Sequence, residues 1–489
     1  MSKEENHTAV VDVEKEARAR SASPESIDPA AERRLLWKLD YTIYPVLFVV
    51  FMMSFLDRIN ISNARIQGLT GDLNLVGNRF NIALFVYFVP YVLLEVPSNM
   101  LIRKTRPSYY LGGLMFCWGI VNMCMGFVQT FEALVALRFL LGIFEAGVFP
   151  GMIYLTSMYY KRHEYQKRMS TLFCSTLIGG AFGGLLAYAI ANLGGHLGYA
   201  AWRWIFIIEG AITAFIALIA AALIVDWPER CQYLTAEEKD LVRRRLEADV
   251  GDVCRMDTLN NFAYKLILTD YKIWLSSLIY MGVGTTGYAI TFFMPTILSE
   301  LGWQAQAAQW HTIPCYVVAA AGLLIAAYLS DRTKHRYGFI MTGVAIASTG
   351  YIMLLNQGSL SRDAKYAAVF LVTLGGYMAT PIPLGWLANN TSGHWKRAFG
   401  SGFQVMIGNC AGLVGSNIFL TNESPSYPTG YGTAFGMLLM GALAATIQEV
   451  LLWRDNKQRA AGKQDWKLRL PEEEIKNMGD YHPSFRFTL

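Results

Sequence analysis

Four ionisable residues sit where water is scarce. Asp57 and Arg58 are adjacent inside an apolar run from about Thr42 to Ala64. Arg138 and Glu145 lie within another, from about Phe131 to Tyr159. Either run is long enough to cross a bilayer as a helix, which takes about 20 residues. Charge at that depth is costly and marks function by default. The chemistry such a set offers is exchange. Arginine stays ionised when buried and grips a carboxylate through two parallel hydrogen bonds. A carboxyl deprived of water gains from holding a proton. An acid beside an arginine can therefore trade that partner for a proton while an anion takes the arginine.

Arg138 and Glu145 are seven positions apart, two helical turns, and share a face. If the first span is entered from the cytoplasm at Ile43, Asp57 lies roughly 21 Å along it at about 1.5 Å per residue. That is roughly 9 Å short of the far end of a ~30 Å core. Arg138, counted from the outside, is at a similar depth, and Glu145 lies below the middle. The four are expected around one buried cavity, as the working site of a transporter. The alternative is that Arg138 and Glu145 only pair with each other and tie helices together.

The elements that must position them are membrane spans. Of 489 residues, 53% are hydrophobic and 16% charged, against about 25% charged in a soluble domain. Mean hydropathy is +0.29. The net charge of +5 is small and points to no nucleic-acid partner. Of seven cysteines, Cys231 and Cys254 fall in a polar central stretch and the rest in apolar runs, so packing roles and no disulfide are expected.

Apolar runs recur at about 42–64, 79–101, 108–128, 131–159, 169–193, 202–225, 273–298, 307–329, 338–356, 364–388, 398–420 and 430–453. The fold class expected is an all-α membrane protein of twelve transmembrane helices, built as two pseudo-repeated six-helix bundles. The chain divides into a disordered cytoplasmic tail (1–40), a first bundle (41–226), a cytoplasmic central loop (227–272), a second bundle (273–454) and a second cytoplasmic tail (455–489). Glu32 to Lys38 is expected to begin a surface helix, and Thr235-Ala236-Glu237-Glu238 is a capping box opening a charged helix. With both termini inside, the short inner loops carry twelve basic residues and the outer loops five, the asymmetry of cytoplasmic termini. Glycines four apart recur in the fifth span (Gly179, Gly180, Gly183, Gly184) and the eleventh (Gly408, Gly412, Gly415), which permits close helix contact. Internal duplication of this kind is typical of secondary transporters, with the site between the halves.

Other patterns exclude other functions. Gly282-Val283-Gly284-Thr285-Thr286-Gly287 matches a dinucleotide fingerprint but lies inside an apolar span with no preceding strand, so packing or a hinge is expected. There is no phosphate-binding GxxxxGK[ST] loop, no Gly-x-Ser-x-Gly elbow and no histidine spacing suited to a metal. No enzyme, no catalytic residue, no metal and no cofactor is expected. Glu95 is read as a structural acid, bonded to a neighbouring helix or to the basic loop after it. Beside Arg58, the candidate substrate contacts are Asn60, Tyr288, Gln404 and Asn409; each either lines the cavity or bonds across helices. Asn422-Glu423-Ser424 is a glycosylation sequon in an outer loop, weakened by Pro425.

With these residues in hand, the chain resembles the major facilitator superfamily. Within it, Asp57-Arg58-Ile59-Asn60-Ile61-Ser62-Asn63-Ala64 and Arg138-x6-Glu145 resemble the anion:cation symporter family. Trp202-Arg203-Trp204-Ile205-Phe206-Ile207-Ile208-Glu209-Gly210 and the ending Gly479-Asp480-Tyr481-His482-Pro483-Ser484-Phe485-Arg486 look like its fungal allantoate permease branch. The resemblance covers about residues 40 to 489 and implies roles. Arg58 would contact a substrate carboxylate, Asp57 and Glu145 would carry protons, and Arg138 would interact with that acid. Arg103 and Lys104 after the second span, and Asp331 and Arg332 after the eighth, would gate; the first of these loops lacks the acid of the usual gating motif, which Asp331 keeps in the second.

The function expected is proton-coupled uptake of a small organic anion, a carboxylate or ureide such as allantoate, nicotinate or a vitamin acid, by a monomer in the plasma membrane. Its partners are the anion, protons and membrane lipid. The alternatives are an exporter of a secondary metabolite on the same fold and a nutrient sensor that does not transport.

Overall fold

The computed structural model describes residues 28–102, 104–250, 261–333, 335–392, 394–471, 474–475 and 478–489. The first 27 residues of the expected N-terminal tail, Arg103 and Cys254 lie outside the described residues.

Helix α1 (Pro29–Ala64) begins where Asp28 accepts from the amides of Ala30 and Ala31 at 3.0 and 3.3 Å, with Pro29 in the first turn. The surface segment at Glu32 and the first span are thus one helix. It ends in a π-helical turn, Arg65–Leu69, in which Gly68 takes φ +106°, a value that favours glycine. Next come α2 (Arg79–Ile102) and α3 (Pro107–Met125). The fourth crossing is two helices, α4 (Phe131–Glu145) and α5 (Val148–Ser157). Helices α6 (Arg162–Ala191) and α7 (Ala201–Leu223) complete the first bundle. Between the bundles lie α8 (Ala236–Val250) and α9 (Asn261–Leu268). The second bundle holds α10 (Tyr271–Glu300), α11 (Ala305–Thr333), α12 (Tyr337–Leu355), α13 (Arg362–Ala379) with α14 (Ile382–Asn390), α15 (His394–Gly415) and α16 (Pro428–Ala460).

Among the described residues, nine helical units are long and apolar enough to cross a membrane. With α3, α10 and α15 they make twelve crossings in two six-helix bundles, so both chain ends emerge on one face, the terminal face. Spans four and ten, continuous as apolar runs, are each broken midway. At the first break Gly147 packs directly on Ser98, with no room for a side chain. At the second, Pro381 has no N–H to continue the ladder.

Large apolar side chains on α7 (Phe215, Leu218), α11 (Ile325, Tyr328) and α16 (Leu443, Val450) point outward, the perimeter that lipid would cover. Inside, small residues set helix spacing. The two bundles meet through α6 against α11 and α2 against α15. A Cβ on Gly184 would stand 2.7 Å from Thr312 Oγ1, so these helices approach to backbone distance. Gly412 packs as tightly on Phe88.

Two polar segments are built onto the terminal face. The capping box is present: Glu238 N donates to Thr235 Oγ1 at 3.3 Å and Thr235 N to Glu238 Oε2 at 2.8 Å. The helix it opens, α8, docks on the first bundle through buried Arg245, which reaches Glu32 at 2.8 Å and Glu164 at 2.6 Å. The chain end docks on the second bundle. Asp480 is fully buried between Lys272 (2.8 Å) and Lys396 (2.9 Å), and Asp270 pairs with the same two ammonium groups. Burial alone would raise the Asp480 carboxyl; Lys272 and Lys396 hold it well below the usual carboxylate range. Further along, Thr488 N donates to Asn390 at 2.7 Å, and Arg459 donates to the carbonyls of His482 and Phe485.

Candidate functional site

Between the bundles lies a cavity of about 630 Å³, open solvent at its mouth included. Its walls are mainly aromatic: Phe51, Phe149 and Phe173 from the first bundle face Tyr280, Tyr288 and Tyr377 from the second. Arg58 is the one charged side chain among its lining residues.

Arg58 is held from both sides. Its Nη2 and Nε donate to Glu145 Oε1 at 2.5 and 3.2 Å, and its Nη1 to the Tyr288 hydroxyl at 3.3 Å. Its guanidinium stands 5.1 Å from the Tyr91 ring centre and 5.5 Å from that of Tyr87. Glu145 also accepts from Ser54 Oγ at 2.5 Å and from the Tyr87 hydroxyl at 2.7 Å. Tyr288 donates on to Asn409 Oδ1 at 2.9 Å, and Asn409 Nδ2 to Glu95 Oε2 at 3.1 Å. One polar chain, Glu145–Arg58–Tyr288–Asn409–Glu95, therefore crosses from the first bundle to the second and back. Glu95, read as a tie to a neighbouring helix or the basic loop, is tied to a helix of the opposite bundle.

The expectation that four charged residues surround the cavity is corrected. Only Arg58 reaches it. Consecutive helical residues point about 100° apart, so Asp57 turns away from its neighbour into the first bundle. There it accepts from Asn122 Nδ2 (2.6 Å), Thr213 Oγ1 (2.7 Å) and Trp118 Nε1 (3.0 Å). Arg138 does not pair with Glu145. Seven residues span about 10 Å along a helix axis, and the Tyr87 ring fills the interval, 5.0 Å from the Arg138 guanidinium. Arg138 Nε donates to the Ala83 carbonyl at 3.3 Å, and its two terminal nitrogens have no hydrogen-bond partner among the described residues.

The remaining candidates divide. Tyr288 and Asn409 line the cavity. Asn60 does not: it is fully buried, with Nδ2 3.5 Å from Asp57 Oδ1. Gln404 ties helices within the second bundle, donating to the carbonyls of Ser276 (3.2 Å) and Pro383 (3.0 Å). Gly284 and Gly287 of the fingerprint-like stretch lie in α10 and line the cavity. Asn422 is exposed in the turn Thr421–Glu423.

At the terminal face Lys104 and Arg332 are exposed, and Asp331 pairs at 2.7 Å with Arg336 within its own bundle. Asp226, after the sixth span, accepts from Ser108 N and Oγ at the start of α3, at 3.3 and 2.7 Å. At the opposite face the bundles are joined above the cavity. Arg65, on the π turn, lies 4.4 Å from the Phe80 ring centre and 5.8 Å from that of Phe293. Gln67 donates to Gln309 at 3.2 Å, and Asn81 to the Phe419 carbonyl at 2.9 Å.

Sequence reasoning missed Ser54, Tyr91 and the walls made by Phe51, Phe149, Phe173 and Tyr377. Ser54 carried a signal, being four residues before Arg58 and so on its face. The phenylalanines carried none, because lipid-facing and cavity-facing rings look alike in an apolar run.

The model of the Major Facilitator Superfamily matches residues 47–416. The chain is 32% identical to an uncharacterised transporter of Schizosaccharomyces pombe, over all of this chain and 98% of that one. It is 28% identical to the high-affinity nicotinic acid transporter of Saccharomyces cerevisiae, over 93% of this chain and 85% of that one. Among solved structures, a bacterial homologue of the human lysosomal transporter Spinster, in an inward-facing and occupied conformation, aligns with a TM-score of 0.62. That match is at 16% identity, over 86% of this chain and 96% of that one. The chain belongs to the Major Facilitator Superfamily and is a multi-pass membrane transporter of small molecules.

Proposed function

We propose that this protein takes up a small organic anion together with protons, by alternating access of its two bundles. The observation that carries the reading is a single positive charge, Arg58, in a mainly aromatic cavity, already engaged by a carboxylate of the protein itself. A substrate carboxylate and Glu145 compete for one guanidinium. Protonating Glu145 removes the competitor's charge, so Arg58 turns its two-pronged donor set to the substrate, with Tyr288 and Asn409 beside it. The aromatic walls suit a flat apolar body. The likeness to a nicotinic acid transporter supports a carboxylate of the vitamin-acid kind.

In the cycle, Glu145 carries a proton, Arg138 holds the Tyr87 ring in place, and Asp57 is a second proton carrier. The basic-residue asymmetry supports cytoplasmic termini. The joined layer at Arg65, Phe80 and Phe293 then closes the outer side, and this conformation is the inward-facing one. Lys104 and the Asp331 loop, with Arg332, form the inner gate when the bundles rock; Arg103 is assigned there from the sequence alone. The protein acts as a monomer in the plasma membrane.

The test is substrate binding by purified, monodisperse protein. Arg58→Ala is expected to abolish saturable carboxylate binding, and Arg58→Lys to fail as well, since a point charge cannot make the two-pronged contact. Unchanged affinity in Arg58→Ala would make the arginine structural.

A further inference from the structure

Glu209 is an acid for which the transport reading has no use. It lies on α7, is 1% exposed, and neither of its carboxyl oxygens accepts a hydrogen bond of ordinary geometry among the described residues. It interacts electrostatically with Asp57, and the Asn60 side chain stands beside it. Asn60 also faces Asp57, at 3.5 Å. The two carboxyls thus occupy one interior pocket of the first bundle, flanked by Asn60, Trp118, Asn122 and Thr213, all neutral. None of these lines the cavity.

The pocket is rigid. Gly119 on α3 packs on the Ala214 backbone, and Gly210, next to Glu209, packs on the Met123 backbone, so α3 and α7 touch directly on both sides of it. The charged and titratable groups nearby are few. Arg58 follows Asp57 on α1 but its guanidinium goes to Glu145, and Glu145 on α4 acts on Asp57 as a second negative charge. From α3 and α7 the facing groups, other than Glu209, are the neutral donors already named. Two carboxylates without a cation in such a place cannot both stay ionised.

We propose that Asp57 and Glu209 together form a second proton-binding site, separate from the anion cavity. The proton arrives as H⁺, forms one O–H bond on a carboxyl oxygen, and leaves by breaking that bond; Asn60, both donor and acceptor, passes the hydrogen bond between the two acids. Because Asp57 precedes Arg58 on the same helical turn, the charge of the pair is felt at the anion site. That last step rests on the proton-coupled reading above; the proton binding itself does not.

The experiment is infrared difference spectroscopy of the purified full-length protein, without substrate, between mildly alkaline and mildly acidic buffer. It is run in a Glu145→Gln background, so that the acid paired with Arg58 contributes nothing. The expected result is a protonated-carboxyl C=O band that loses a component in Glu209→Gln and also changes in Asp57→Asn, since the proton is shared. Glu209→Asp, one methylene shorter, is expected to shift the band without removing it and serves if the Gln variant does not fold. A band unaltered by both Glu209→Gln and Glu209→Asp would overturn the proposal and leave Glu209 a fixed packing residue. Failure of the organic-anion reading would show instead as absent carboxylate binding with this spectrum intact.

Discussion

Glu145→Gln isolates the competition at Arg58. Glutamine keeps the shape of the side chain and removes its charge, mimicking the protonated acid. In the wild type, Glu145 Oε1 accepts two bonds from Arg58, at 2.5 and 3.2 Å, and one from Ser54. The Gln oxygen can still accept, but without charge, and its NH2 faces the Tyr87 hydroxyl, which must turn to accept. A hydrogen bond to a charged group contributes about 1.5–3 kcal/mol against about 1 for a neutral one. Losing the charge on the Arg58 contact alone therefore weakens the competitor by about 0.5–2 kcal/mol, roughly 2- to 30-fold in affinity. The assay is equilibrium binding of nicotinate to purified protein over a range of pH. Wild-type affinity should tighten as pH falls, because protonated Glu145 releases Arg58. The variant should bind at alkaline pH as tightly as the wild type does at acidic pH, with a flat profile. If the variant keeps the wild-type pH dependence, Glu145 is not the group that competes. If it binds nothing while folded, Glu145 is part of the binding surface.

Three further outcomes follow from other contacts. Asp480→Asn leaves Lys272 and Lys396 to share Asp270, and breaking a buried ion pair costs about 3–5 kcal/mol. Since the Asp480 carboxyl is depressed in the folded protein, its contribution is present at neutral pH and lost only as pH falls through that low value. Thermal denaturation in detergent should show the variant destabilised at neutral pH, with the gap closing in strong acid. Phe293→Ala removes one ring of the Arg65 layer, worth about 1 kcal/mol; the reporter Tyr288→Cys, in a background lacking native cysteines, should then react several-fold faster with an impermeant reagent added outside. Unchanged labelling would mean that another contact closes this face. Finally, a C-terminal tag should resist protease in intact cells and be digested after permeabilisation; digestion without permeabilisation would reverse the topology.

Much of this was legible in the sequence because charges stand out in apolar runs. Arg58 and Glu145 were visible as such, and twelve runs marked the crossings. Their pairing was not visible, because the two lie 87 positions apart and their distance depends on how α1 packs against α4. The separation of Asp57 from Arg58 was readable in principle, since adjacent helical residues cannot share a direction. Gln404 and Asn60 show the opposite difficulty: a polar residue in a span is equally a cavity contact or a helix tie until its neighbours are known. The chain end read as a polar tail, yet Asp480 is buried, because the lysines that hold it come from the starts of α10 and α15.

The central claim is tested most directly by accumulation in proteoliposomes containing the purified protein. Labelled nicotinate is presented under an imposed inward proton gradient, and counterflow is measured separately with no gradient. The account predicts concentrative, gradient-dependent uptake by the wild type, abolished in Glu145→Gln, with substrate-for-substrate exchange retained in part by that variant. Concentrative, pH-dependent uptake by Glu145→Gln would contradict it and move the coupling to Asp57.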